Sequence, residues 1–241
     1  MRDPLVLLPG MMCDARVYAS QVAAFSTALT IIAAPVTGGD RIEEIASRLL
    51  DGLPRRFALV GHSMGGIVAM ELLRRAPDRV SRIALMNTNS LAETPQAAAD
   101  MEPIVIKLKS GRLEDAVKAL IPPDALAPGA TRAAVMAQVQ EMARAVGPEV
   151  IVRQVRAMQR RRDYQAVLRK AKQPALVLCG EHDRLTPAKR HELMAGLMEG
   201  ARLEVIGGAG HLPMLEQPDA VNHALYHWMQ QPAGAQSRAD V

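Results

Sequence analysis

Six short runs along the chain, at residues 5–8, 30–34, 57–60, 83–87, 175–179 and 203–206, are almost wholly apolar, with Gly, Pro or Asn at their edges. Runs with so little polar alternation predict strands buried on both faces. Between them, residues 42–53, 64–75, 188–198 and 219–229 carry apolar positions at helical spacing, the third after a Thr186-Pro187 start signal. Strands alternating with helices predict an α/β fold, a mostly parallel sheet with helices on both faces.

The alternation stops between Ser90 and Lys172. Helical patterns at 113–120, 132–146 and 149–158 follow one another there, broken by Pro122-Pro123, Pro128-Gly129 and Gly147-Pro148. This segment reads as a helical cap inserted after the strand that ends at Asn87. The expected organisation is a core from 1–89 and 173–231, a cap from 90–172 and a loose tail from 232–241.

Composition narrows the class. A chain of 241 residues supports one compact domain with an inserted subdomain, and 49% hydrophobic with 22% charged residues is ordinary globular usage, not disordered, fibrous or membrane-embedded. No segment reaches the length of a membrane span. The stretch 5–8 lacks the length and cleavage-site pattern of a signal peptide. The net charge of +4 is spread through runs such as 160–162 and 169–172, too diffuse a pattern for nucleic acid. Two cysteines, Cys13 and Cys179, give no disulfide framework and fit a reduced, cytoplasmic protein. Fourteen methionines against six aromatics predict a pocket walled by Met, Leu, Ile and Val, suited to a small or medium aliphatic acyl or lactone group, with Tyr164 a candidate for its mouth.

The sharpest local signal is Gly61-His62-Ser63-Met64-Gly65-Gly66, between a buried-strand run and a helical pattern. A bare match divides evenly between a nucleophilic serine and a helix N-cap; the strand, sharp turn and helix around it point to the nucleophile. A serine hydroxyl needs a base within hydrogen-bond reach and an acid to fix that base's tautomer. Asp183, just past the run 175–179, is the candidate acid, with Glu181 its weaker rival. His211, on a glycine-rich loop after the run 203–206, is the candidate base. His62 and His182 sit beside proposed catalytic residues and read as packing and hydrogen-bonding groups. Acyl transfer also requires oxyanion donors: the Met64 N–H, and Met11 N–H (or Met12) from the loop after the first strand. No His or Cys cluster has metal-ligand spacing and no nucleotide-binding glycine pattern occurs, so neither metal nor cofactor is expected.

The segments LLPGMMCD, LVGHSMGG, LVLCGEHDRLTP and GAGHLPMLEQPD, in that order, resemble the α/β-hydrolase superfamily, specifically small capped esterases and lactonases related to the carboxylesterases of biotin synthesis and the enol-lactone hydrolases. Pro9-Gly10 stands where many relatives have His-Gly, and the N-terminal hairpin many of them carry is not seen before Leu5. The resemblance implies hydrolysis of a small-molecule ester or lactone by a serine esterase through an acyl-enzyme, with the cap forming the substrate wall. The same triad also serves lactonases, C–C hydrolases, thioesterases and haloperoxidases, and the fold also occurs as a ligand-binding receptor. An imidazole base in such a triad implies activity that falls as pH drops below roughly 6 to 7.

Overall fold

The computed structural model describes residues 3–232; the expected loose tail therefore lies almost entirely outside the described residues. Six strands, β1 (Leu5–Leu8), β2 (Ile31–Ala33), β3 (Phe57–His62), β4 (Val80–Met86), β5 (Ala175–Gly180) and β6 (Arg202–Ile206), form one sheet in the order β2-β1-β3-β4-β5-β6. Every pairing is parallel. Each apolar run forms a strand, and β3, β4 and β5 are longer than their apolar stretch. β4 starts at Val80 because the polar residues near its beginning have partners: Ser81 Oγ donates to Phe57 O, and Arg82 donates to the Trp228, Met229 and Gln231 carbonyls. The expectation of burial on both faces fails at the margins. β2 and β6, which edge the sheet, are half-exposed.

Alternate side chains of the strands enter two apolar layers. Val6, Leu8, Leu59, Ile83, Leu85 and Val177 pack against α2 (Ile42–Gly52), α3 (Met64–Arg75) and α10 (Ala188–Leu197). Leu5, Leu7, Val60, Met86, Leu176 and Leu178 face α1 (Ala19–Phe25) and α12 (Pro218–Gln230).

Between β4 and β5 the chain is helical: α4 (Pro95–Asp100), α5 (Glu102–Lys109), α6 (Leu113–Leu120), α7 (Arg132–Val146), α8 (Pro148–Gln159) and α9 (Gln165–Lys170). Val105, Val117, Val139, Ile151 and Val155 of these helices join the second layer in one continuous apolar cluster. Both ends of the insertion are tied together, Tyr164 N donating to Ser90 O and Arg161 Nε to Leu91 O. No helix among the described residues is long and apolar enough to cross a membrane.

Candidate active site

β1, β3, β4 and β5 are the inner strands, and the carboxyl edge of an open parallel sheet is where site loops gather. β3 runs into α3 through Ser63, whose φ of 51° lies in the left-handed region that costs a non-glycine residue about 1–3 kcal/mol. Glycine makes the turn feasible. A Cβ on Gly61 would lie 2.4 Å from Gly65 O, and one on Gly65 would lie 2.3 Å from Leu8 O. Ser63 stands at the N-cap position of α3, yet its side chain makes no capping hydrogen bond. Its Oγ lies instead 3.1 Å from His211 Nε2.

His211 sits on the loop between β6 and α11 (Pro213–Glu216). Its Nδ1 is 3.0 Å from Asp183 Oδ2, and both side chains are almost wholly buried. Asp183 Oδ2 also accepts from Asn87 Nδ2 at 2.7 Å and Thr186 Oγ1 at 2.5 Å, while Oδ1 accepts from the Leu185 and Thr186 N–H groups. Burial pushes the Asp183 carboxyl upward, but the His211 charge and these hydrogen bonds outweigh it and hold the group well below the usual carboxylate range. A fixed carboxylate makes Nδ1 of His211 the protonated nitrogen and leaves Nε2 free to accept from Ser63. The rival Glu181 turns elsewhere, to the Gly208 N–H at 3.1 Å.

The neighbouring histidines have other partners. His62 Nε2 donates to His211 O at 2.7 Å, and burial, followed by the His211 charge, lowers its pKa to about 3. It therefore stays neutral beneath His211. His182 is half-buried at the loop surface, with Nε2 3.6 Å from Glu181 Oε2. Tyr164 is fully buried in the layer beside α3 and does not reach the cavity mouth, which corrects its expected position; its backbone is tied to Ser90 O and its ring faces the core.

Several residues at the site escape a sequence reading. Glu216 is buried and accepts from the N–H groups of Ala127, Gly210 and Leu212 at 2.6, 2.9 and 3.0 Å, bracketing His211. Asn87, at φ 45°, links Asp183 to Gly210 O. His191 accepts the Thr88 N–H at 3.1 Å, and Thr88 Oγ1 donates to Ser63 O at 2.8 Å. The signal available for them was position, Glu216 lying inside the segment GAGHLPMLEQPD and Asn87 at the end of the run 83–87; for His191, mid-helix, there was none.

Ser63 and His211 open into a cavity of about 270 Å³. Its walls are Met11, Met12 and Cys13 from the core and Met101, Leu120, Ile121 and Met158 from the insertion, with Glu93 and Arg161 supplying polar groups. The expected methionine-rich wall is present. Burial raises the Cys13 thiol to about 12, so it is a neutral wall group without thiolate character. A larger hollow of about 530 Å³, beside Leu73 and Val167, holds none of these groups. Among the described residues, neither Met64 N–H nor Met11 N–H has an acceptor, whereas Met12 N–H donates to Gln154 Oε1 at 3.1 Å.

Comparison with known proteins agrees with this architecture. The chain is 26% identical to a pimeloyl-[acyl-carrier protein] methyl ester esterase of Aromatoleum aromaticum, over 90% of this chain and 94% of that protein. Among solved structures, a thermophilic esterase from Thermogutta terrifontis superposes with a TM-score of 0.85 at 25% identity, covering 94% of this chain and 89% of that one. An enol-lactonase from Burkholderia xenovorans gives 0.83 at 22% identity, covering 96% and 93%, and shares the fold. A family model described as the alpha/beta hydrolase family matches residues 5–224, and with a six-stranded parallel sheet flanked by helices, the chain belongs to that family.

Proposed function

We propose that this protein is a serine hydrolase that cleaves a carboxylic ester of a small or medium substrate through an acyl-enzyme. The observation that carries the reading is the unbroken line from Ser63 Oγ to His211 Nε2, and from His211 Nδ1 to Asp183, at 3.1 and 3.0 Å, opening into an apolar cavity. Ser63 Oγ attacks the ester carbonyl carbon while its proton passes to His211 Nε2. The oxyanion that forms is held by the N–H groups of Met64 and Met11. Collapse expels the alcohol, which takes the proton from His211. The same nitrogen then deprotonates a water that attacks the acyl carbon, and returns that proton to Ser63 Oγ as the acyl–serine bond breaks and the acid leaves. Asp183 remains ionised and orients the imidazole throughout. The scheme draws on no cofactor.

The cavity limits the substrate. At ~30 Å³ for each water-sized group, about 270 Å³ accommodates roughly nine such groups, a short acyl chain with a small alcohol. The insertion supplies the wall opposite the nucleophile, so residues 90–172 act as a cap that sets acyl length and limits water entry.

The test is incubation with a fluorophosphonate probe and a series of p-nitrophenyl esters, alongside Ser63→Ala. Labelling and turnover that both vanish in the variant support the reading. A labelled protein that turns over no ester favours a different acyl bond or a receptor, and an unlabelled wild type removes Ser63 from its role.

A further inference from the structure

The loop that follows β1 is held by a residue from the insertion. Cys13 N donates to Gly10 O at 3.2 Å, which closes a four-residue turn over Gly10, Met11, Met12 and Cys13. Met12, the third residue, has a φ of 65°, while Met11 has no such value. This is the pattern of a type II turn, whose third position favours glycine because only a positive φ gives the central peptide that orientation. Here a methionine occupies it. In the commoner type I turn the Met11–Met12 peptide is turned over, Met12 relaxes to a negative φ, and the Met12 N–H and Met11 C=O exchange sides.

Gln154 opposes that flip. It lies on α8, is fully buried, and accepts the Met12 N–H through Oε1 at 3.1 Å while Nε2 donates to Val36 O at 3.2 Å. The two partners fix the amide's orientation, since a flipped Gln154 sets N–H against N–H and oxygen against oxygen. A turned-over peptide would likewise bring Met11 C=O against Gln154 Oε1. Met158, one turn further along α8, lines the cavity, so the helix that forms part of the substrate wall also holds this loop.

We propose that Gln154 is the positioning residue of the oxyanion loop: by taking up the Met12 N–H it locks the turn in its positive-φ form and leaves Met11 N–H as the donor to the reacting carbonyl. This rests on the ester-hydrolase reading above. Gln154 touches no reacting atom: it holds the Met11–Met12 peptide, which keeps the turn closed on Gly10 O and so fixes the adjoining Gly10–Met11 peptide, whose N–H is the donor. Its contribution is therefore to the transition state, where charge has formed on oxygen, more than to ground-state binding.

Gln154→Met keeps the volume and removes both hydrogen bonds. With active sites counted by fluorophosphonate labelling, kcat on a p-nitrophenyl ester is expected to fall about tenfold to a hundredfold with KM changed less than threefold. Affinity for a trifluoromethyl ketone, which forms the oxyanion on the enzyme, falls by a similar factor, and hydrogen exchange at the Met12 amide quickens. Adding Met12→Gly to Gln154→Met returns part of the lost kcat, because glycine holds the positive φ unaided. Unchanged kcat per labelled site overturns the proposal, as does a loss that appears equally in KM and is not restored by glycine. A wild type that neither labels nor turns over refutes the ester-hydrolase reading itself, a result distinct from an active wild type matched by an equally active Gln154→Met.

Discussion

Glu216→Gln tests whether His211, the proposed base, is held by its loop as the hydrogen bonds imply. The Glu216 carboxylate serves three backbone N–H groups, Ala127 through Oε1 and Gly210 and Leu212 through Oε2, so it fixes the chain on both sides of His211 and joins that loop to residues 125–127. His211 N donates to Ala125 O at 2.8 Å in the same junction. Glutamine has the shape of glutamate but one fewer acceptor. Its best orientation keeps oxygen toward Gly210 and Leu212 and turns the NH2 group to face the Ala127 N–H. One buried donor left without a partner costs about 1–3 kcal/mol, and the two surviving bonds each weaken by about 1 kcal/mol on losing the charge. Relief from burying a charge offsets part of this, so the net loss of stability is about 2–4 kcal/mol. Urea unfolding at pH 7 measures it. Because a displacement of about 1 Å at a reacting group lowers rates by about a hundredfold, kcat should fall at least tenfold under conditions where the variant is fully folded. A variant within about 0.5 kcal/mol of wild type and within twofold in kcat would refute the clamp.

Asn87→Asp sets a second carboxyl at the 2.7 Å contact with Asp183 Oδ2; two buried carboxyls that close cannot both ionise, so the pair retains a proton that the unfolded chain releases, and the variant's stability relative to wild type should decline as pH rises from about 5 to 8, while a difference that stays constant in urea unfolding counts against the contact. Burial first of all holds His62 at about 3 and His191 at about 4, below the ~6.5 of an unfolded histidine. The unfolded chain thus binds more protons below pH 6.5, and each histidine's contribution to stability, complete above that value, declines as pH falls, by about 2 kcal/mol between pH 7 and 5. Asp183, lowered likewise, adds a loss of the same sign below about pH 4. Denaturant titrations at pH 7 and 5 that give equal stabilities would contradict this. Gly65→Ala drives a Cβ to 2.3 Å from Leu8 O and 2.5 Å from Pro9 O, which should lower stability by about 1–3 kcal/mol and also reduce turnover, since Pro9 leads into the oxyanion loop; a wild-type urea midpoint refutes the close approach.

The residue pattern alone set the layer architecture. Unbroken apolar runs can be buried only in a sheet covered on both faces, and 3.6-residue periodicity between them supplies the helices that cover it. It also indicated where chemistry gathers, because a serine in a glycine-lined turn, an acid past one strand and a histidine on a glycine loop past another all fall at one sheet edge. Short or weakly patterned helices such as α1, α4 and α9, and the polar start of β4, escaped it because their stability comes from partners distant in the chain. Tertiary structure alone decided which of Glu181 and Asp183 meets His211, since two residues on one loop are separated only by the direction the backbone gives each side chain. It also decided that Tyr164 faces the core, that Met12 N–H belongs to Gln154, and that Glu216 brackets His211. The Met12–Gln154 pair is 142 residues apart. No local pattern records such a pairing, because the complementarity of a donor and an acceptor exists only once the fold has removed both from water.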